Sequence, residues 1–139
     1  MTSHDLTPLA RKLELGDDTV FTVRHAPGDF AGTLGDVGNA IWQQSLLAPL
    51  DVVITFHRLH AALVAELPRV TEPLGPEGRL WVAWPRAGSE LDERLVVKAL
   101  ERAGFTTDKA CHVDDDWTAL RFVRRPVKLR PKEAARRKR

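Results

Sequence analysis

Residues 51–56, DVVITF, form a near-continuous apolar run of strand length, and no other stretch restricts the fold as much. A strand that is apolar on both faces must be covered on both, so it belongs inside a sheet with layers above and below. The segments after it extend the pattern. Residues 57–72 place Leu59, Leu63, Val64, Leu67 and Val70 on one helical stripe and close in the breaker-rich LGPEG. Residues 79–85, RLWVAWP, read as a second buried strand. Residues 91–104 read as a second amphipathic helix, with Leu95, Val96, Ala99 and Leu100 inward and Gly104 at its end. Strand, helix, strand, helix in this order means parallel crossovers. Residues 105–113 and 117–123, joined by Asp114, Asp115 and Asp116, predict an antiparallel hairpin on the sheet edge.

Upstream the signals are shorter. Leu6, Leu9, Ala10 and Leu13 are helically spaced behind a Thr7 cap and a first-turn Pro8. Residues 19–24, TVFTVR, predict a strand, residues 29–35 one or two helical turns, and residues 40–44 a short strand. The expected fold is a three-layer α/β/α sandwich with a mostly parallel sheet and an antiparallel C-terminal hairpin. At 139 residues, with 43% hydrophobic and 29% charged side chains, the chain suits one soluble domain and excludes wholesale disorder. With Cys111 the sole cysteine, neither an intramolecular disulfide nor a cysteine-based zinc cluster within the chain can form, which suits a reducing cytoplasm. No apolar run reaches membrane-spanning length, and MTSHDLTPLA has no signal-peptide pattern, so neither insertion nor export is expected.

The net charge of +2 hides a division. Residues 124–139 carry nine basic residues and one Glu, a net of +8, while residues 1–123 carry 12 basic against 18 acidic residues, a net of −6. The expected organisation is a domain over residues 1–124 and a basic, disordered tail over 125–139. Arg124, Arg125, Lys128, Arg130, Lys132, Arg136, Arg137, Lys138 and Arg139 form a set that could hold an anionic partner, nucleic acid or acidic protein, without sequence preference.

From residue 51 to 123 the segments resemble the C-terminal half of class I, Rossmann-like methyltransferases. DVVITF looks like their fourth strand, LGPEGRLWVAWP like the glycine turn and fifth strand, LERAGF like the helix end before the sixth, and WTALRFVRR like the antiparallel seventh. The whole body more closely resembles a family of small bacterial proteins of unknown function that look like trimmed methyltransferase domains, especially at LWVAWPR and WTALRFVRR. The resemblance implies a Rossmann-like fold and a place for S-adenosylmethionine. The residues that would hold that cofactor are missing: VFTVRHAPGDF has no Gly-rich turn, and AIWQQS offers Gln43 and Gln44 where an acidic residue would hold the ribose. No cofactor is therefore expected.

Ligands of such sheets sit beyond the carboxyl ends of the strands. His25, His57, Trp84 and Arg86 end three of the expected strands, and Asp29 follows in the first loop. His60 stands three residues after His57, a spacing that would put both imidazoles on one side of a helix start, for a metal or an acid/base pair or simply as surface residues. No metal is expected. Arg24 and Arg86 could grip a phosphate or carboxylate, or pair with Asp29 or Glu90. Trp81 and Trp117 read as packing, Trp84 as open to a ligand, Cys111 as a buried hydrophobe, and the aspartate triplet as a solvated turn. The resulting reading is a non-catalytic binding or regulatory module. The alternatives are an enzyme working at the carboxyl-end rim, a methyltransferase with atypical cofactor binding, and a tether acting through the tail.

Overall fold

The structure, a computed structural model, describes residues 7–126. The elements in chain order are α1 (Pro8–Lys12), β1 (Val20–Arg24), α2 (Phe30–Leu34), β2 (Ile41–Trp42), β3 (Leu50–Phe56), α3 (His60–Thr71), β4 (Leu74–Pro85), α4 (Glu93–Arg102), β5 (Phe105–His112) and β6 (Trp117–Arg124). They build one six-stranded sheet of order β2-β1-β3-β4-β6-β5. The pairs β1–β2, β1–β3 and β3–β4 are parallel, and β4–β6 and β6–β5 are antiparallel. The sandwich and its C-terminal hairpin are thus as expected. Among the described residues no strand lies beyond β2, and no helix is long and apolar enough to cross a membrane.

β3 sits at the centre, and its alternating side chains feed two cores. Val52, Ile54 and Phe56 join Phe21 and Trp81 under Ala10 and Leu13 near α1 and Phe30 and Leu34 of α2. Val53 faces the other way with Leu80, Val82 and Phe122, under Leu63, Leu67 and Val70 of α3 and Val96 and Leu100 of α4. Caps fix both ends of this arrangement. Thr7 accepts from the Ala10 N–H at the start of α1, and Asp92 from the Leu95 N–H at the start of α4.

Three local expectations fail. First, α3 begins at His60, three residues later than expected, because the His57 N–H still donates to the Ala83 carbonyl and extends the sheet ladder. Leu59 then takes the cap position, where it has no side chain to offer, and the Glu90 carboxylate accepts the His60 N–H instead. Second, Leu59 and Val64 are 56% and 46% exposed, while Glu66 occupies a buried position on the helix. Third, β4 starts at Leu74, not at residue 79. Leu50 pairs with Leu74 but Val52 with Arg79, so residues between them bulge from the ladder. At Gly78 a Cβ would lie 2.8 Å from Leu74 Cδ2, which is why the bulge needs glycine there.

The loop between α1 and β1 is tied to the far half of the sheet by charge. Glu14 accepts from Lys109 on β5 at 2.6 Å and from Arg121 on β6, and Arg79 on β4 stands 3.3 Å away. Arg121 also binds Asp108. At the other end of the body, Arg124 donates to the carbonyls of Thr71 and Leu74 and Arg125 to that of Glu101, so both guanidiniums are bonded to the domain. Lys128, Arg130, Lys132, Arg136, Arg137, Lys138 and Arg139 lie outside the described residues.

The corrected α3 stripe gives an expected order of stabilities. Leu63→Ala should cost about 2–5 kcal/mol and Ile54→Val about 0.5–1.5, whereas Val64→Ala should stay within about 0.5 kcal/mol of the parent. Urea unfolding with an unchanged m-value checks all three, and a Val64→Ala cost near that of Leu63→Ala would contradict the helix orientation.

Candidate functional site

The strand order determines where a crevice opens. The chain goes from β1 outward to β2, then returns across β1 to β3, so the connections after β1 and β3 diverge at the carboxyl ends of these two neighbours. Between them lies a cavity of about 580 Å³. His25, Ala26 and Pro27 form one wall, Phe56, His57 and Trp117 the floor, and Ala62, Ala65, Glu66 and Arg69 of α3 the opposite wall, with Arg58 at the rim. The α3 residues recur at helical spacing, and two alanines among them leave room for a ligand.

Charge is organised around Glu66. Arg24 Nε donates to Glu66 Oε2 at 2.8 Å, and His25 Nε2 lies 3.2 Å from the same oxygen. Burial alone would raise the Glu66 carboxyl, but the Arg24 hydrogen bond and the charges of Arg24 and His25 outweigh it and hold the group below its ordinary value. His25 makes its contact from a left-handed backbone, φ 59°, uncommon for a residue with a side chain. Its ring centroid is 5.4 Å from that of His57. His57 is buried, and its Nε2 shares a 2.7 Å hydrogen bond with Thr55 Oγ1. Burial first, and then the positive charge of His25, push His57 down to about 4, so it is neutral at physiological pH.

Of the residues expected at the rim, His25 and His57 come together and the others do not. His60 lines a separate groove with Val64, Leu67 and Ala99 between α3 and α4, because the helix begins after His57 and turns the two imidazoles apart. Trp84 is 5% exposed and packs in the α3/α4 core, since strand alternation sends it to that face. It is therefore closed to a ligand. Arg86 borders a smaller hollow of about 270 Å³ that shares Arg58 and Trp117 with the crevice, and its Nη1 reaches the Asp115 carbonyl at 3.4 Å. Asp29 is exposed at the start of α2 and makes no capping bond. The expected partners of Arg24 are replaced by Glu66, and Glu90 serves α3.

Trp81 donates to the Leu13 carbonyl at 3.2 Å, and Trp117 stacks edge-on with Phe56 at 5.1 Å, so both pack as expected. Burial pushes the Cys111 thiol up, as befits an inert core residue. Asp114 Oδ1 accepts the N–H groups of Asp116 and Trp117 and closes the hairpin turn. Among the described residues no three His, Cys, Asp or Glu side chains are gathered as a metal ion would require.

The sequence reading missed Glu66, Thr55, Arg58 and Arg69. Glu66 did carry a signal, since a carboxylate three residues after Leu63 and one before Leu67 falls on the inward side of the helix and needs a cation.

The sequence model of a family described as a protein of unknown function (DUF3052) matches residues 13–126. The chain belongs to this family. No curated protein matches it. Among solved structures, a TehB-like SAM-dependent methyltransferase from Corynebacterium glutamicum aligns with a TM-score of 0.57 at 12% identity, covering 87% of this chain and 89% of that one. A putative type 11 methyltransferase from Sulfolobus solfataricus gives 0.58 at 12% identity, over 83% and 89%. The magnesium protoporphyrin IX methyltransferase from Synechocystis PCC 6803, with bound SAM, gives 0.55 at 14% identity, over 84% and 74%. At these identities the likeness is one of fold: this DUF3052 chain has a methyltransferase-like frame.

Two positions in and beside the crevice differ from the Gly-rich turn and acidic residue that the methyltransferase resemblance implies. The turn after β1 starts on His25 in a backbone setting suited to glycine, but an imidazole stands there, held against Glu66. Past β2, Gln43 Nε2 is bonded to its own loop, donating to the carbonyls of Ser45 and Leu47 at 2.9 Å each.

The neutral His57 has a thermodynamic consequence of definite sign. Its folded pKa of about 4 lies below the ordinary 6.5, so between these values the unfolded chain binds more protons, and stability falls as pH drops through that window. Denaturant unfolding should show a loss on the order of 2–3 kcal/mol from pH 7 to pH 4, with the slope from this group fading out above about pH 7.5. His57→Gln should flatten the curve between about pH 6.5 and 4.5. Glu66, depressed in its turn, adds a loss only as pH falls below its ordinary 4.5. Equal stability of the parent at pH 7 and 5 would contradict a buried neutral His57.

Proposed function

We propose that this chain is a binding module on a methyltransferase-like frame, one whose crevice at the β1/β3 switch point takes a small ligand other than S-adenosylmethionine and carries out no methyl transfer. The 3.2 Å contact between His25 and Glu66 carries this reading. It places a side chain, anchored from the opposite wall, where a cofactor-binding turn of this fold would present bare backbone. Supporting it, the crevice is of ligand size, largely apolar in its floor and fixed by groups that already satisfy one another.

Thermal unfolding of the full-length protein with S-adenosylmethionine and with S-adenosylhomocysteine tests the reading. At 1 mM of either, a dissociation constant of about 10 µM would add roughly 2.7 kcal/mol and raise Tm by several degrees. No shift is expected. A shift of that size would return the crevice to cofactor binding, and the reading would give way to a methyltransferase with atypical cofactor binding.

A further inference from the structure

We infer that the crevice is an oxyanion site, taking a small organic acid, carboxylate or phosphate monoester, whose charged group meets Arg58 and Arg69 and whose body rests on Ala26, Pro27, Ala62 and Ala65. The inference rests on the binding-module reading above and names the ligand's chemistry.

The charge balance of the lining leads to this class. Glu66 is the only acid in it, and its carboxylate is already paired with the Arg24 guanidinium at 2.8 Å, with His25 in contact at 3.2 Å. Arg58 and Arg69 remain, and among the described residues neither has a carboxylate within 4 Å. The crevice therefore presents two guanidiniums with no matching anion, beside a neutral His57 that supplies no counter-charge in either protonation state. A cationic ligand would meet repulsion.

Geometry narrows the class further. The Arg58 guanidinium lies over the Trp117 ring, 4.9 Å from its centroid, and its backbone carbonyl is fixed by the Ser89 hydroxyl. Stacking occupies the face of the guanidinium and leaves its edge, the fork of N–H groups that suits a carboxylate or phosphate. Arg69 approaches from α3, with Ala65 one turn before it keeping the path clear. A bare inorganic ion would satisfy the arginines and leave the apolar surface of Ala26, Pro27, Ala62 and Ala65 facing water, so an organic body belongs on the anion. Both arginines are exposed at the rim, and their hold on the anion must weaken as salt rises.

Titration calorimetry of the full-length protein at low salt, with benzoate, phenyl phosphate, benzamide and inorganic phosphate as probes, decides the matter. Benzoate and phenyl phosphate should bind, the tighter of them naming the source of the oxyanion, and benzamide should bind about tenfold more weakly. Arg58→Ala and Arg69→Ala should each weaken the two anions by about tenfold and leave benzamide unchanged, and Arg94→Ala, outside the crevice, should change nothing. If benzamide matches benzoate, or the arginine variants bind as the parent does, the oxyanion inference falls while the crevice keeps its ligand role. Inorganic phosphate as tight as phenyl phosphate would mean an adventitious ion only. No binding of any probe at 10 mM would also overturn the inference. The binding-module reading falls on a different result, binding of S-adenosylmethionine.

Discussion

β3 is the member on which the rest of this domain depends. It is flanked on both sides by parallel neighbours and buried on both faces, so its side chains must alternate between two cores. That alternation orders the layers, because helices have to cover each face and parallel neighbours have to be reached by crossovers. It also builds the floor of the crevice. Thr55 and His57 continue one side of the strand past its last core residue, and their mutual hydrogen bond lets two polar groups sit where the core ends.

Glu66 shows how a charge is kept inside such a frame. An ionised carboxylate on the buried side of a helix would be costly alone, and two donors from the end of β1 converge on one of its oxygens. The same convergence ties α3 to β1, elements that have no strand pairing between them. It explains why a residue with a side chain is tolerated at a left-handed position: the surroundings over-determine His25. Structure and electrostatics are here one arrangement, since removing the acid would release both the helix tie and the restraint on the imidazole.

Periodicity made the frame legible in the sequence. DVVITF and LWVAWP could hardly be other than covered strands, and the Asp triplet could hardly be other than a turn. What periodicity does not encode is where an element begins. The start of α3 depends on a carbonyl of β4 and a carboxylate from the loop before α4, both distant in sequence from His57 and His60, so the H-x-x-H spacing was misleading. Trp84 misled differently: a strand's end was identified, but not which face its last residues take. Arg58 and Arg69 had no mark at all in a chain rich in arginine, because their meaning arises only once Glu66 has been matched by others.

The Glu14 tie bears on the order in which the chain folds. Its partners Lys109 and Arg121 are 95 and 107 residues away, and Leu13 beside it accepts a hydrogen bond from Trp81, 68 residues on. The loop after the first helix thus has part of its anchorage in the strands that are made last. During synthesis the segment around Glu14 emerges early and can pack on β1, α2, β3 and β4 as these form, but its charge tie is complete only once β6 has paired between β4 and β5, so its docking is finished last. A nascent chain halted before Arg121 would hold Ala10, Leu13 and Leu15 against the apolar face of the sheet without the Arg121 half of the Glu14 tie, and that interval is when this protein is most open to misassociation.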